Sequence, residues 1–145
     1  MDAIKQYMIP KWWLTGVGTI FTIFMLLTYA GIMNAAETGW GADNYDDRDV
    51  FYEKGWAATF LLIAIITIVS GQFVEGRAQA ILAITIGGGN IFIFILTLLA
   101  AGDLDNVPGP NGIPYGYTSD PANWALPMIC ATCILVSGYL HLEKE

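Results

Sequence analysis

Residues 78–101 read AQAILAITIGGGNIFIFILTLLAA, a run without a single acidic or basic side chain. As an α-helix rising ~1.5 Å per residue it reaches roughly 36 Å, more than the about 30 Å of a bilayer's hydrocarbon core. In hydrocarbon the backbone has no water to bond, so only helices or closed barrels cross. An unbroken apolar run of this length is no barrel strand, and it reads as a transmembrane helix.

Working outward, three similar runs appear. One covers about 12–33 and includes TGVGTIFTIFMLLTYAGIM; the others cover about 56–74 and 124–142, the last with Pro127 in its first turn. The expected fold is an all-α integral membrane protein, a single domain with a four-transmembrane-helix bundle. Trp12, Trp13, Trp56 and Trp124 mark span edges, where amphipathic rings favour the headgroup level. The first run is too long for a signal-peptide core, and Asn34-Ala35-Ala36 is a poor cleavage site, so it is expected to be retained as a span.

Lys5, Lys11, Arg77 and Lys144 lie on one side of this arrangement, against Arg48 and Lys54 on the other. The positive-inside rule then puts both termini in the cytoplasm, with a tight inner hairpin between spans two and three. The outer loops are about 35–55 and 102–123. The first carries ADNYDDRDVFYEK; the second is punctuated by Pro108, Pro110, Pro114 and Pro121, with Tyr115 and Tyr117 between them, and reads as turn-rich.

Composition agrees. Hydrophobic residues make up 55% of the 145 and charged residues 13%, about half the roughly 25% of soluble domains. A net charge of -7 argues against nucleic acid, whose phosphates demand Lys and Arg, and against a polybasic face for anionic lipid.

The most unusual local feature is Gly87-Gly88-Gly89-Asn90. Three glycines remove bulk where a backbone or flat ligand approaches, and Asn90 is positioned to bond across helices for ~1 kcal/mol. A close helix crossing is the favoured reading and a ligand pocket the lesser one. Small and weakly polar seams are expected in every span. They comprise Ala83, Gly87, Asn90, Thr97 and Ala101; Thr15, Thr19 and Thr22; Ala64, Thr67 and Gly71; and Cys130, Cys133 and Ser137. Such residues associate helices where the hydrophobic effect gives no help.

Absences narrow the chemistry. No ionisable residue sits in a span core, although proton relays and ion-coupled carriers ordinarily need one there. Glu75 and Arg77 flank the inner hairpin and are expected to pair or snorkel. His141, the single histidine, ends span four and reads as an interfacial residue; it provides neither a bis-His haem nor a multi-His metal centre. Cys130 and Cys133 read as small hydrophobes, and no zinc pattern is present. The acidic run Asp43, Asp46, Asp47 and Asp49 resembles a hard-cation site in composition only. From Asp43 the third position is Tyr45 and the sixth Arg48, which breaks the EF-hand pattern, so a solvated acidic loop is expected. Nucleophile elbows, phosphate loops and HExxH helices are missing.

The chain is therefore expected not to be an enzyme by itself. The leading expectation is an accessory or structural subunit of a larger membrane assembly of respiratory, photosynthetic or membrane-oxidase type, with other integral membrane subunits and bound lipids as partners. One rival is a homo-oligomeric pore for a small neutral solute, lined by the GGGN segment and threonine hydroxyls. Another is a pigment- or lipid-binding membrane protein.

Overall fold

The computed structural model describes residues 2–34, 37, 46–102 and 122–143. These form five α-helices and no strand: α1 Asp2–Tyr7, α2 Pro10–Tyr29, α3 Asp47–Phe73, α4 Gly76–Gly102 and α5 Ala122–His141. Pro10 opens α2 at a position where its missing N–H is no loss. The helix closes at Gly31, whose φ of +72° lets Gly31 N–H donate to Thr28 O at 3.0 Å and Ile32 N–H to Leu27 O at 2.9 Å. That paired glycine cap ends the helix at Tyr29, before the expected limit at Met33.

The larger revision concerns α3, expected from about residue 56. Asp46 Oδ1 accepts from the backbone of Arg48 and Asp49 at 2.8 and 3.2 Å, and Asp49 Oδ2 accepts from Asp46 N–H at 3.0 Å. This reciprocal capping box starts the helix at Asp47. Part of the expected acidic loop is therefore helix, and its carboxylates bind backbone amides.

Three helices, α2, α3 and α4, are long and apolar enough to cross a membrane. The fourth, expected as the shortest span, is apolar over Ala125–His141. At ~1.5 Å per residue that stretch rises about 25 Å, short of a ~30 Å core.

The helices associate as two antiparallel pairs, α2 with α3 and α4 with α5. Glycine makes both pairings possible. A Cβ added to Gly18 of α2 would lie 2.8 Å from Ile68 Cγ1 and 3.2 Å from Ala64 O, and one on Gly71 of α3 would lie 2.9 Å from Thr15 N. In the second pair a Cβ on Gly87 would lie 2.5 Å from Leu135 N and 2.7 Å from Ala131 O, while one on Gly138 would meet Ala80 O at 2.5 Å. Backbone touches backbone at these points, so no side chain fits.

The pairs join chiefly through α2 and α5. Leu14 of α2, Ala83 of α4 and Ile134 of α5 form the buried core, with Trp13, Val17 and Ile86 packed against it. Toward the end of the molecule that holds the residue 30–46 connection, aromatic rings replace glycine between α2 and α3. Phe21 meets Phe60 edge-on at 6.0 Å and Trp56 lies 4.9 Å from Phe60. The connection from α3 to α4 is only Val74 and Glu75, with Gly76 at φ +62°; the two helices nevertheless touch little. Glu75 and Arg77 are both exposed.

Gly87→Ala is expected to lower unfolding stability by about 1–3 kcal/mol, because the added methyl has no space. Gly89→Ala should leave it unchanged or raise it by about 0.5–1 kcal/mol through helix propensity alone, since nothing lies within 4 Å of its Cβ position. Denaturant titration of both variants in one detergent checks this; equal losses would refute the close-contact role of Gly87.

Candidate functional site: a polar cleft at the turn end

The start of α2, the α3–α4 turn and the end of α5 meet at one end of the molecule, the turn end. A half-open cleft of about 210 Å³ lies there, lined by Ile9, Pro10, Gly76, Gln79 and His141. Two of these side chains are polar and more than nine-tenths buried, Gln79 and His141 at 8% exposure each.

Gln79 sits in the first turn of α4, directly after the tight connection. A helix leaves its last four carbonyls without intrahelical donors. Gln79 Nε2 donates to two of them in α3, Gly71 O at 3.0 Å and Ser70 O at 3.3 Å. One amide thus closes the end of α3 and ties α4 to it where few other contacts do.

His141 ends α5 as expected, and it is buried at the bundle's end. Its Nδ1 lies 2.9 Å from Ser137 O one turn earlier. A carbonyl only accepts, so Nδ1 carries a proton in this bond, which in the singly protonated ring leaves the lone pair on Nε2. Ser137, fully buried, donates to Ile134 O at 2.7 Å. Among the described residues neither His141 Nε2 nor Gln79 Oε1 has a hydrogen-bond partner, and neither atom is sealed from solvent. Each side chain is pinned through one polar atom and leaves its second available at the cleft.

The residues singled out from sequence are elsewhere. Gly87 is buried against α5, Gly88 is only in ordinary contact with Leu135, and Gly89 faces open space. Asn90 was expected to bond across helices. Its Nδ2 instead donates to Ile86 O at 2.8 Å in its own helix. The threonines behave alike: Thr19 donates to Thr15 O and Thr22 to Gly18 O, both at 2.8 Å, while Thr97 bonds Ile93 O at 2.9 Å. A hydroxyl satisfied within its own helix needs no neighbour, so exposed Thr19 and Thr97 lie off the packed seams. Thr15 is the exception, accepting from Gln72 Nε2 of α3 at 2.9 Å.

The α2 seam is Leu14, Gly18, Met25 and Thr28, and the α5 seam is Ala131, Ile134, Ser137, Gly138 and His141. Cys130 and Cys133 are free and half-buried beside it. Ala64, Thr67 and Gly71 are buried as expected. Asp43 and the side chain of Ala101 lie outside the described residues. No group of three His, Cys, Asp or Glu side chains placed to hold a metal occurs among the described residues.

Sequence reading passed over Gln79. The available signal was a lone amide one turn into a long apolar helix, close after a sharp turn that leaves the preceding helix uncapped. Gln79→Leu should strip the donor from two α3 carbonyls and cost about 1–3 kcal/mol. Backbone amides over the last turn of α3 should also exchange faster with deuterium. Unchanged exchange in this variant would show that Gln79 does not hold the two helices. No family model, curated protein or solved structure matches this chain.

Proposed function

We propose that the chain is an integral membrane protein whose four apolar helices form one bundle, and that it serves as an accessory subunit within a larger membrane complex. Respiratory, photosynthetic and membrane-oxidase assemblies are the candidate hosts, and packing and lipid sealing are its work there. In this reading the chain supplies no catalytic group of its own.

The observation that carries the proposal is the uncovered half of α4. Of the most apolar 18-residue stretch in each long helix, 28% of residues are buried in α3, 22% in α2 and only 11% in α4. Beyond Gly87 no described residue of α4 is buried, and Phe92, Ile93, Ile95, Leu96 and Leu99 are exposed. Lipid tolerates such a surface. A glycine in the middle of it is less easily explained, because Gly89 gives up helix stability without any contact inside the chain. With exposed Thr85 one turn earlier it forms the small-xxx-small spacing that admits a second helix in a membrane.

The pore reading has less support. Gly87 is filled by the α5 backbone, and the described threonine hydroxyls of α4 turn back on their own helix.

Gentle extraction followed by native mass measurement tests the proposal. The expected result is co-migration with larger membrane subunits in fixed ratio, weakened at least tenfold (about 1.4 kcal/mol) by Gly89→Leu. A lone monomer unaffected by that substitution would sink the proposal; a homo-oligomer would favour the pore.

A further inference from the structure

Two polar side chains line the turn-end cleft. Gln79 and His141 are each held by a bond to backbone carbonyl, so their remaining atoms are fixed in place before any ligand arrives. Gln79 Oε1 is an acceptor, and so is His141 Nε2 in the tautomer that carries its proton on Nδ1. Water reaches both atoms in the free protein, and a ligand with N–H groups takes its place. Gly76, the first residue of a 27-residue helix, also lines the cleft. The first amides of a helix and the positive end of its dipole favour an anion, and Arg77 is exposed beside it.

We propose that this cleft binds the headgroup of a phospholipid that carries a primary ammonium, of the phosphoethanolamine class. The ammonium N–H groups bond to Gln79 Oε1 and His141 Nε2, and the phosphate lies toward the α4 N-terminus and Arg77.

Depth and wall chemistry fit a membrane lipid. Ile9 and Pro10 make one side apolar, and the next residues, Lys11 and Trp12, are exposed. An exposed Trp beside a Lys at the start of an apolar helix belongs at headgroup level. The space, about 210 Å³, is assigned to the headgroup alone and not to the acyl chains. Those chains would run along the exposed apolar helix faces outside the cleft.

The chemistry also discriminates. A choline headgroup has no N–H to donate, and a quaternary ammonium is usually held by an aromatic cage; among the described residues no Trp, Tyr or Phe lines this cleft.

The inference rests only on the proposed membrane placement and stands apart from the subunit proposal, so the failure of one leaves the other standing. The test uses the full chain in mixed micelles containing equimolar dioleoyl phosphatidylethanolamine and its N-methyl, N,N-dimethyl and choline counterparts, with retained lipid read by native mass spectrometry. Retention of one ethanolamine lipid per chain is expected, falling as methyl groups replace N–H and about tenfold lower for choline, equivalent to ~1.4 kcal/mol. A flat series would overturn the proposal, and this arm needs no variant. His141→Phe, with its helicity checked by circular dichroism, should abolish the preference; a preference that survives it would also overturn the assignment. Uptake of soluble phosphoethanolamine as readily as the lipid would overturn the lipid source.

Discussion

Contact between backbones at four glycines is the constraint on which the architecture depends. Gly18 and Gly71 set the approach of α2 to α3, and Gly87 and Gly138 that of α4 to α5. Apolar side chains gain little from leaving lipid for one another, so helices inside a bilayer associate through close packing. Each helix of each pair supplies a glycine to the other's backbone, and each contact is reciprocal. The second glycine of each pair, Gly71 or Gly138, lies within the last turn of its helix at the turn end. Packing is thus tightest there, and toward the other end the α2–α3 interval is filled by Phe21, Phe60 and Trp56.

That geometry explains why polar groups collect at the turn end. Two helices drawn to backbone contact near their ends bring uncapped carbonyls with them, and Gly71 is itself both a contact glycine and an acceptor for Gln79. The two-residue link between α3 and α4 does not by itself pack them together; Gln79 supplies the bond across it. His141 and Ser137 instead bond to carbonyls of their own helix. The cleft is what remains where the start of α2, the α3–α4 turn and the end of α5 meet. One polar group escapes this economy: the Thr28 hydroxyl is buried without a partner, an arrangement that costs about 1–3 kcal/mol.

Much of this was legible in the residues. Long uncharged runs located α2, α3 and α4, and the triple glycine pointed to a close crossing, which Gly87 makes. The capping box of Asp46 and Asp49 was visible as an acidic pair three apart before a helix, but its charge drew the reading toward a loop. Gly31 was similarly hidden inside an apolar run, where hydropathy outweighs the glycine cap signal. Small-residue periodicity found the α3 seam, yet misplaced the α2 seam by favouring threonines. A threonine hydroxyl bonds back to its own helix and so carries little information about which face is buried. Gln79 escaped notice and His141 was read only as a helix-end residue, because their importance comes from three helix ends meeting, which no local pattern encodes.

Glycines in this chain fall into two kinds, and the difference bears on what surrounds it. A glycine inside a helix costs roughly 0.5–1 kcal/mol relative to alanine. For Gly18, Gly71, Gly87 and Gly138 that cost is offset by a backbone contact which alanine would forbid. For Gly16 and Gly89 no atom lies within 4 Å of the Cβ position, so the folded chain offers no compensation. Both sit in long apolar helices, on opposite pairs, and both face outward. A stretch built of Leu, Ile and Phe to meet lipid gains nothing from a notch one residue wide, whereas a neighbouring helix gains close approach. The inward glycines assemble each pair, and the outward one on α4 lies on the helix with the least of its apolar surface covered, which is why the proposal seats a partner subunit there.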